Sequence, residues 1–117
     1  MHIESNFLQP LKLEHEIFVL DATLVRSLDR TKMKEITTSL IGDLLRKLEM
    51  EELAPLGIYE ATDLRAPGWS FIQPITTSHI SGHYFEEELT RSHIHIDIYS
   101  CKHFEWEDVI NILNNHL

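Results

Sequence analysis

Alternation of apolar and polar residues predicts several β-strands along the chain. Between Leu11 and Leu20, every second residue belongs to one face, which is the period of a strand. That face consists of Leu11, Leu13, His15, Ile17 and Val19. We expect the strand to end at Asp21. The segment His93–Tyr99 alternates most cleanly. Three further segments are predicted strands: Gly57–Ala61, Trp69–Ile75 and Ser78–Phe85. Because Pro74 has no backbone N–H, it indicates a sheet edge or a bulge.

Two other segments repeat their apolar residues every three or four positions, as helices do. The first begins at a cap, Asp29 or Thr31, and ends near Met50. Its apolar stripe is Met33, Ile36, Leu40, Leu44 and Leu48. The stripe of the second, at the carboxyl end, is Trp106, Val109, Ile110, Leu113 and Leu117. The order strand, helix, strands, helix predicts one α+β domain over residues 1–117, an antiparallel sheet with both helices packed on one face.

Charge and composition exclude several classes of partner. The 117 residues include 10 basic and 19 acidic side chains, a formal net charge of −9. Nucleic acids and anionic membranes are bound mainly through basic contacts, so we expect neither as a partner. The chain shows no secretory signal pattern and no apolar run that could span a membrane, so we expect a cytoplasmic protein. Its single cysteine, Cys101, excludes an intrachain disulfide.

Histidine is the unusual component, with five of the eight histidines between positions 79 and 103. His93 and His95 share a predicted strand face with Asp97, and His79 or His83 could join them across a hairpin. Two imidazoles and a carboxylate would suit zinc or non-haem iron. The simpler interpretation, which we favour, is the solvated face of a strand, with no metal bound.

A hydrolase is the second chemical alternative. Ser78 or Cys101 could act as a nucleophile beside one of these histidines. The chain has no Gly-x-Ser-x-Gly elbow around Ser78 and no papain-like sequence around Cys101. The sequence therefore gives this alternative little support.

The same region resembles a known family across two segments. Thr77-Ser78-His79-Ile80-Ser81-Gly82-His83, followed by Ile96-Asp97-Ile98-Tyr99-Ser100-Cys101, is similar to the bacterial and archaeal S-adenosylmethionine decarboxylases. In that family a histidine lies five residues after the serine at the cleavage site, and another serine lies eight residues before that same serine. A cysteine follows a later strand. His83, Ser70 and Cys101 have that spacing around Ser78.

The resemblance implies a self-made cofactor. Cleavage between Thr77 and Ser78 would leave Ser78 as an N-terminal pyruvoyl group, which forms a Schiff base with the substrate amine and accepts the electrons released with carbon dioxide. Ser70 and His83 match positions that assist the cleavage, His83 by accepting the serine α-proton. Cys101 matches the residue that returns a proton to the substrate. His79 belongs to the motif but receives no role.

Substrate contacts also follow from the resemblance. Phe85 matches an aromatic residue that stacks on adenine, Glu87 a carboxylate that holds ribose hydroxyls, and Trp69 could supply a further aromatic surface. Thr77 stands where the family usually has glutamate. The resemblance implies decarboxylation of S-adenosylmethionine, or of a related cationic amino acid, in polyamine biosynthesis by a homodimer. The alternative is a non-processing relative with a binding or regulatory role.

Overall fold

The computed structural model describes residues 15–65, 67–86 and 92–117, and in them five antiparallel strands form one sheet. The strands are β1 Glu16–Thr23, β2 Gly57–Ala61, β3 Gly68–Ile75, β4 Ser78–Phe85 and β5 His93–Ser100. Their order in the sheet is β1-β5-β4-β3-β2. The helices are α1 Met33–Lys47 and α2 Trp106–His116. Neither helix is long and apolar enough to cross a membrane.

Both helices pack on one face of the sheet, which we call the inner face. Alternate residues of the three central strands are fully buried there, such as Phe71, Ile80 and Ile96. They belong to one apolar cluster with helix residues such as Leu40 and Val109. This arrangement confirms the predicted α+β fold. We call the opposite face the outer face. It carries polar and ionisable side chains of the central strands, such as His83, His95 and Asp97.

Strand β4 lies at the centre of the sheet and sets the register of the site. A two-residue turn joins β3 to β4, so that Ile75 pairs with Ser78. On the other side of β4, Ser78 pairs with Ser100. Residues at the start of β4 therefore lie beside the end of β5, and residues at its far end lie beside the start of β5.

Two details of the predicted strands are wrong. Strand β1 does not end at Asp21 but continues to Thr23, because this segment still pairs with β5 up to His93. The part of the predicted strand before residue 15 lies outside the described residues. Strand β3 is not an edge strand, since β2 and β4 flank it. Regular pairing with β2 ends at Ile72, so the missing N–H of Pro74 removes no bond to β2, and the Pro74 carbonyl oxygen accepts the backbone N–H of Leu53 (3.0 Å).

The helices begin and pack largely as their sequence pattern predicts. The Asp29 side chain accepts a hydrogen bond from the Thr31 N–H (3.0 Å) and caps a short 3₁₀ turn that leads into α1. Trp106 is an exception, because it lies in the first turn of α2 and its side chain is 57% exposed. Val109, Ile112 and Leu113 are the residues of α2 that are buried.

Candidate active site

The peptide bond between Thr77 and Ser78 lies in the tight turn that precedes β4. Ser78 has a φ of +148°, a backbone conformation that few residues other than glycine adopt. Such strain costs about 1–3 kcal/mol, and it is found most often at functional sites. The carbonyl oxygen of Thr77 accepts a hydrogen bond from the backbone N–H of Cys101 (3.0 Å). The Ser100 hydroxyl holds the Thr77 side chain by a hydrogen bond of 3.0 Å. The predicted cleavage site is therefore strained, and its carbonyl group is polarised.

The Tyr99 side chain contacts both His79, next to this turn, and Cys101. The Tyr99 ring stacks against His79 with ring centroids 6.0 Å apart, and the Tyr99 hydroxyl is hydrogen-bonded to Nδ1 of His15. Burial, followed by the charge and hydrogen bond of Cys101, raises the pKa of the Tyr99 phenol. The Cys101 thiol therefore lies beside Tyr99 at the same end of the sheet as Ser78.

A line of polar contacts runs from Ser78 across the outer face. Oγ of Ser78 lies 3.2 Å from Nδ1 of His79, and Nε2 of His79 lies 3.3 Å from Oδ1 of Asp97. The Ser81 hydroxyl donates a hydrogen bond of 2.9 Å to the same Asp97 oxygen. Nε2 of His95 lies 3.2 Å from the other oxygen of Asp97.

The line ends on β1. Nδ1 of His95 lies 2.8 Å from Oδ1 of Asp21. The hydrogen bond to Asp21, and after it the one to Asp97, raise the pKa of His95. The fold therefore brings His95 between two carboxylates, in a setting that favours its protonated form.

Ser70 and His83 form a separate pair at the other end of the outer face. Oγ of Ser70 lies 2.7 Å from Nδ1 of His83, and the two residues pair across β3 and β4. His83 is five residues beyond Ser78 on β4, a separation of about 16 Å at about 3.3 Å per residue. Within one chain, the structure brings Ser70 and His83 together but does not bring them to Ser78.

The predicted substrate-binding residues that the structure describes, Phe85 and Trp69, do not lie beside Ser78 in the same chain. The Phe85 ring contacts His83, with ring centroids 4.3 Å apart, and lines a cleft of about 360 Å³ with Asp21, Thr23 and His93 among its walls. Trp69 packs against the core. Glu87 lies outside the described residues. The substrate roles of all three remain predictions.

The histidine cluster is not arranged as a metal site. Within residues 15–65, 67–86 and 92–117, no three His, Cys, Asp or Glu side chains converge as a bound metal ion would require. His95 and His79 instead contact carboxylates. A further cleft, of about 560 Å³, lies between α1 and α2, on the helical layer rather than the outer face.

Sequence reasoning missed part of this site. Asp97 and Tyr99 lie on the same face of β5, and strand alternation had assigned Asp97 to a solvated face. The available sequence signal was the two-residue spacing of Asp97, Tyr99 and Cys101, since residues two positions apart in a strand point to the same side. No sequence signal could have identified the backbone N–H of Cys101, because its partner depends on the register between β4 and β5.

Comparison with known proteins adds one finding. A family model described as S-adenosylmethionine decarboxylase matches residues 19–117. Searches of curated proteins and of solved structures found no match. The family match covers both helices, all five strands except the start of β1, and the turn at Ser78. The chain belongs to the S-adenosylmethionine decarboxylase family.

Proposed function

We propose that this protein is a self-processing, pyruvoyl-dependent decarboxylase that acts on S-adenosylmethionine, or on a related cationic amino acid, in polyamine biosynthesis. Family membership supports a decarboxylase-like function in general. Cleavage at Ser78, the substrate and the pathway are the parts that we propose. The net charge of −9 is compatible with a cationic substrate.

The observation that carries the proposal is the state of the Thr77–Ser78 peptide. Ser78 is a non-glycine residue with a φ of +148°, and the Thr77 carbonyl oxygen accepts the N–H of Cys101 at 3.0 Å. Strain raises the energy of the peptide before reaction, and the N–H stabilises negative charge that develops on the oxygen. Both effects favour attack by the adjacent Ser78 hydroxyl on the Thr77 carbonyl carbon.

The proposed cleavage balances without an external reagent other than water. The Ser78 Oγ–C bond forms and the Thr77–Ser78 amide bond breaks, which converts the amide into an ester. Removal of the Ser78 α-proton then expels the Thr77 carboxylate. One water molecule replaces the nitrogen of the resulting enamine, ammonia is released, and Ser78 becomes a pyruvoyl group.

The surroundings of Ser78 fit such a group. A pyruvoyl ketone supplies an electron sink for decarboxylation. The Cys101 thiol, beside Tyr99 at this end of the sheet, would return a proton to the substrate carbon after carbon dioxide leaves. A thiol suits this step because it is a weak acid on a short side chain.

A homodimer is the second part of the proposal. Ile17 and Val19 are 69% and 57% exposed and lie on the outer face, opposite the helices. A second copy of this chain that covers this face across a two-fold axis in the interface plane, perpendicular to the strands, would bring opposite ends of the two sheets together. The Ser70–His83 pair of one chain would then approach Ser78 of the other, which supplies the groups that one chain keeps about 16 Å away.

Intact-mass spectrometry tests the proposed cleavage. The wild-type protein should yield residues 1–77 and a pyruvoyl-blocked fragment 78–117, and Ser78→Ala should remain whole. Ser39→Ala, an exposed serine on α1, is the matched control and should cleave normally. A wild-type chain that stays uncut after prolonged incubation would favour the non-processing, binding or regulatory relative. Cleavage that persists in Ser78→Ala would exclude self-processing at this residue.

A further inference from the structure

We propose that His79 is the general base that activates the Ser78 hydroxyl for cleavage, and that Asp97 is the positioning residue that holds His79 in the required tautomer. The inference rests on the proposed function and names the residue that performs its first proton transfer. It gives a role to the histidine next to the cleavage site, which the sequence motif contains without an assigned function.

His79, and not His83, lies beside the Ser78 hydroxyl in the same chain. Nδ1 of His79 lies 3.2 Å from Oγ of Ser78, the atom that must lose its proton when it attacks Thr77. His83 cannot perform this step within the same chain, since it is five residues away along β4 and contacts Ser70. A candidate base must lie within hydrogen-bonding reach of the proton that it removes, and His79 meets this condition.

The contact with Asp97 sets the tautomer of His79. A neutral imidazole has one nitrogen that donates and one that accepts. Because Nε2 lies 3.3 Å from the Asp97 carboxylate, which accepts only, the proton belongs on Nε2. Nδ1 is then left with its lone pair directed at the Ser78 hydroxyl. In hydrolytic triads the histidine likewise donates one ring N–H to aspartate and accepts the serine proton on the other nitrogen. Here Nε2 faces the aspartate and Nδ1 faces the serine, the reverse of the usual triad.

Asp97 is held by contacts with other side chains besides His79. Its carboxylate receives the Ser81 hydroxyl at 2.9 Å and faces Nε2 of His95 at 3.2 Å. Asp21, on the far side of His95, favours the protonated form of that imidazole. Both oxygens of Asp97 therefore face donors, and the carboxylate offers Nε2 of His79 only acceptor atoms.

The proton balance of the step is complete. The Ser78 Oγ–H proton moves to Nδ1 of His79 as the oxygen bonds to the Thr77 carbonyl carbon, whose oxygen gains negative charge beside the Cys101 N–H. When the carbon–nitrogen bond breaks, the imidazolium returns the proton to the departing Ser78 nitrogen. His79 ends the step neutral, and an ester has replaced the amide.

The experiment follows cleavage of the full chain by intact-mass spectrometry and treats each variant with hydroxylamine, which splits an ester but not an amide. His79→Ala and His79→Gln should cleave at least about 100-fold more slowly than wild type, because a general base typically contributes that much. Both should yield no hydroxylamine-sensitive ester, and added imidazole should restore part of the rate in His79→Ala. Circular dichroism identifies variants that keep the fold, and the glutamine variant preserves hydrogen-bonding capacity at this position.

Three comparisons complete the test. His116→Ala, a histidine on α2 that contacts Asp43, should cleave at the wild-type rate. Asp97→Asn should lose about tenfold or more by allowing the wrong tautomer, and Asp97→Glu should recover part of it. His83→Ala, which removes the group proposed for the later α-proton step, should instead accumulate a hydroxylamine-sensitive ester.

The outcomes separate the two proposals. A folded His79 variant that cleaves as fast as wild type, or that accumulates the ester, would overturn the role of His79 and leave the self-processing function standing. A wild-type chain that never cleaves would overturn the proposed function itself. Slow cleavage of the His79 variants without ester supports both.

Discussion

The Ser70 hydroxyl, on β3, lies 2.7 Å from Nδ1 of His83. His83 lies towards the far end of β4 from Ser78. The two side chains lie within hydrogen-bonding distance of each other, but along β4 His83 is about 16 Å from Ser78 of its own chain. If two chains pair through their outer faces, the pair of one protomer serves the serine of its partner.

Mixed dimers test this exchange directly. Co-expressed Ser78→Ala and His83→Ala chains should form dimers in which the His83→Ala chain is cleaved, because its partner still supplies His83. The Ser78→Ala chain should stay whole. Each variant alone should give no completed cleavage, and mass spectrometry distinguishes the fragments. Failure of the His83→Ala chain to cleave in the mixture, despite dimer formation, would show that each chain processes itself.

Ile17 provides a test of the face through which the chains would pair. Its side chain is 69% exposed on the outer face of β1, and a lysine there would place a charge in the apolar part of the proposed interface. Ile17→Lys should shift the protein towards monomer in analytical ultracentrifugation and slow cleavage at least about tenfold, with little change in monomer secondary structure. Val25→Lys is the matched control, since Val25 is 84% exposed but follows the end of β1. An unchanged sedimentation profile for Ile17→Lys would contradict the proposed interface.

Cys101 has two separable contributions. Its backbone N–H contacts the Thr77 carbonyl oxygen, whereas its thiol is the proposed proton donor to the substrate. Cys101→Ala retains the N–H and should therefore still cleave, but its decarboxylation rate should fall at least about 100-fold. Parallel mass spectrometry and carbon dioxide release measure the two activities. Loss of cleavage with retained fold would assign the thiol to processing instead.

The fold could be predicted from the sequence because its signals are local. The period of two in His93–Tyr99 and the three- and four-residue spacing after Asp29 each arise from one element, and both elements formed as predicted. Pro74 misled because it lies where regular pairing with β2 has already ended. Beyond that point the contact continues only through the isolated Glu52–Ile75 bridge and the backbone N–H of Leu53, which donates to the Pro74 carbonyl oxygen.

The site could be predicted only in part. The resemblance identified Ser70, Ser78, His83 and Cys101, but the distance between Ser78 and His83 follows from an extended β4 and is invisible in a motif. Asp97 looked like an ordinary member of a solvated face, because its contacts with His79 and His95 depend on the register of two strands. Pairing across strands, rather than spacing along the chain, assembles these groups.

Two glycines should respond to the same substitution with opposite signs. Gly68 has a φ of +146°, and an added Cβ would lie 1.7 Å from the carbonyl oxygen of Tyr84. Gly42 lies within α1, where an added Cβ would meet only the end of the Arg46 side chain at 3.7 Å. Gly68→Ala should destabilise the fold by about 1–3 kcal/mol or more. Gly42→Ala should stabilise it by about 0.5–1 kcal/mol. Urea unfolding measures both, and equal effects would contradict the backbone conformation at Gly68.

His103 should give the stability of the protein a dependence on alkaline pH. Its ring is hydrogen-bonded to Glu105 and to Glu16, and these contacts raise its pKa from the usual 6.5 to about 9. The same contact lowers the pKa of Glu16. Since the folded state favours protonated His103, this contribution is complete below pH 6.5 and disappears as the pH rises through 9.

The comparison of wild type with His103→Gln isolates this contribution. The difference in melting temperature between the two proteins should be largest near pH 6 and should shrink towards zero by about pH 10. Groups that titrate identically in both proteins, such as Tyr99, cancel in the difference. Differential scanning calorimetry at a series of pH values provides the measurement. A difference that stays constant from pH 6 to pH 10 would mean that His103 is held by contacts that do not depend on its charge.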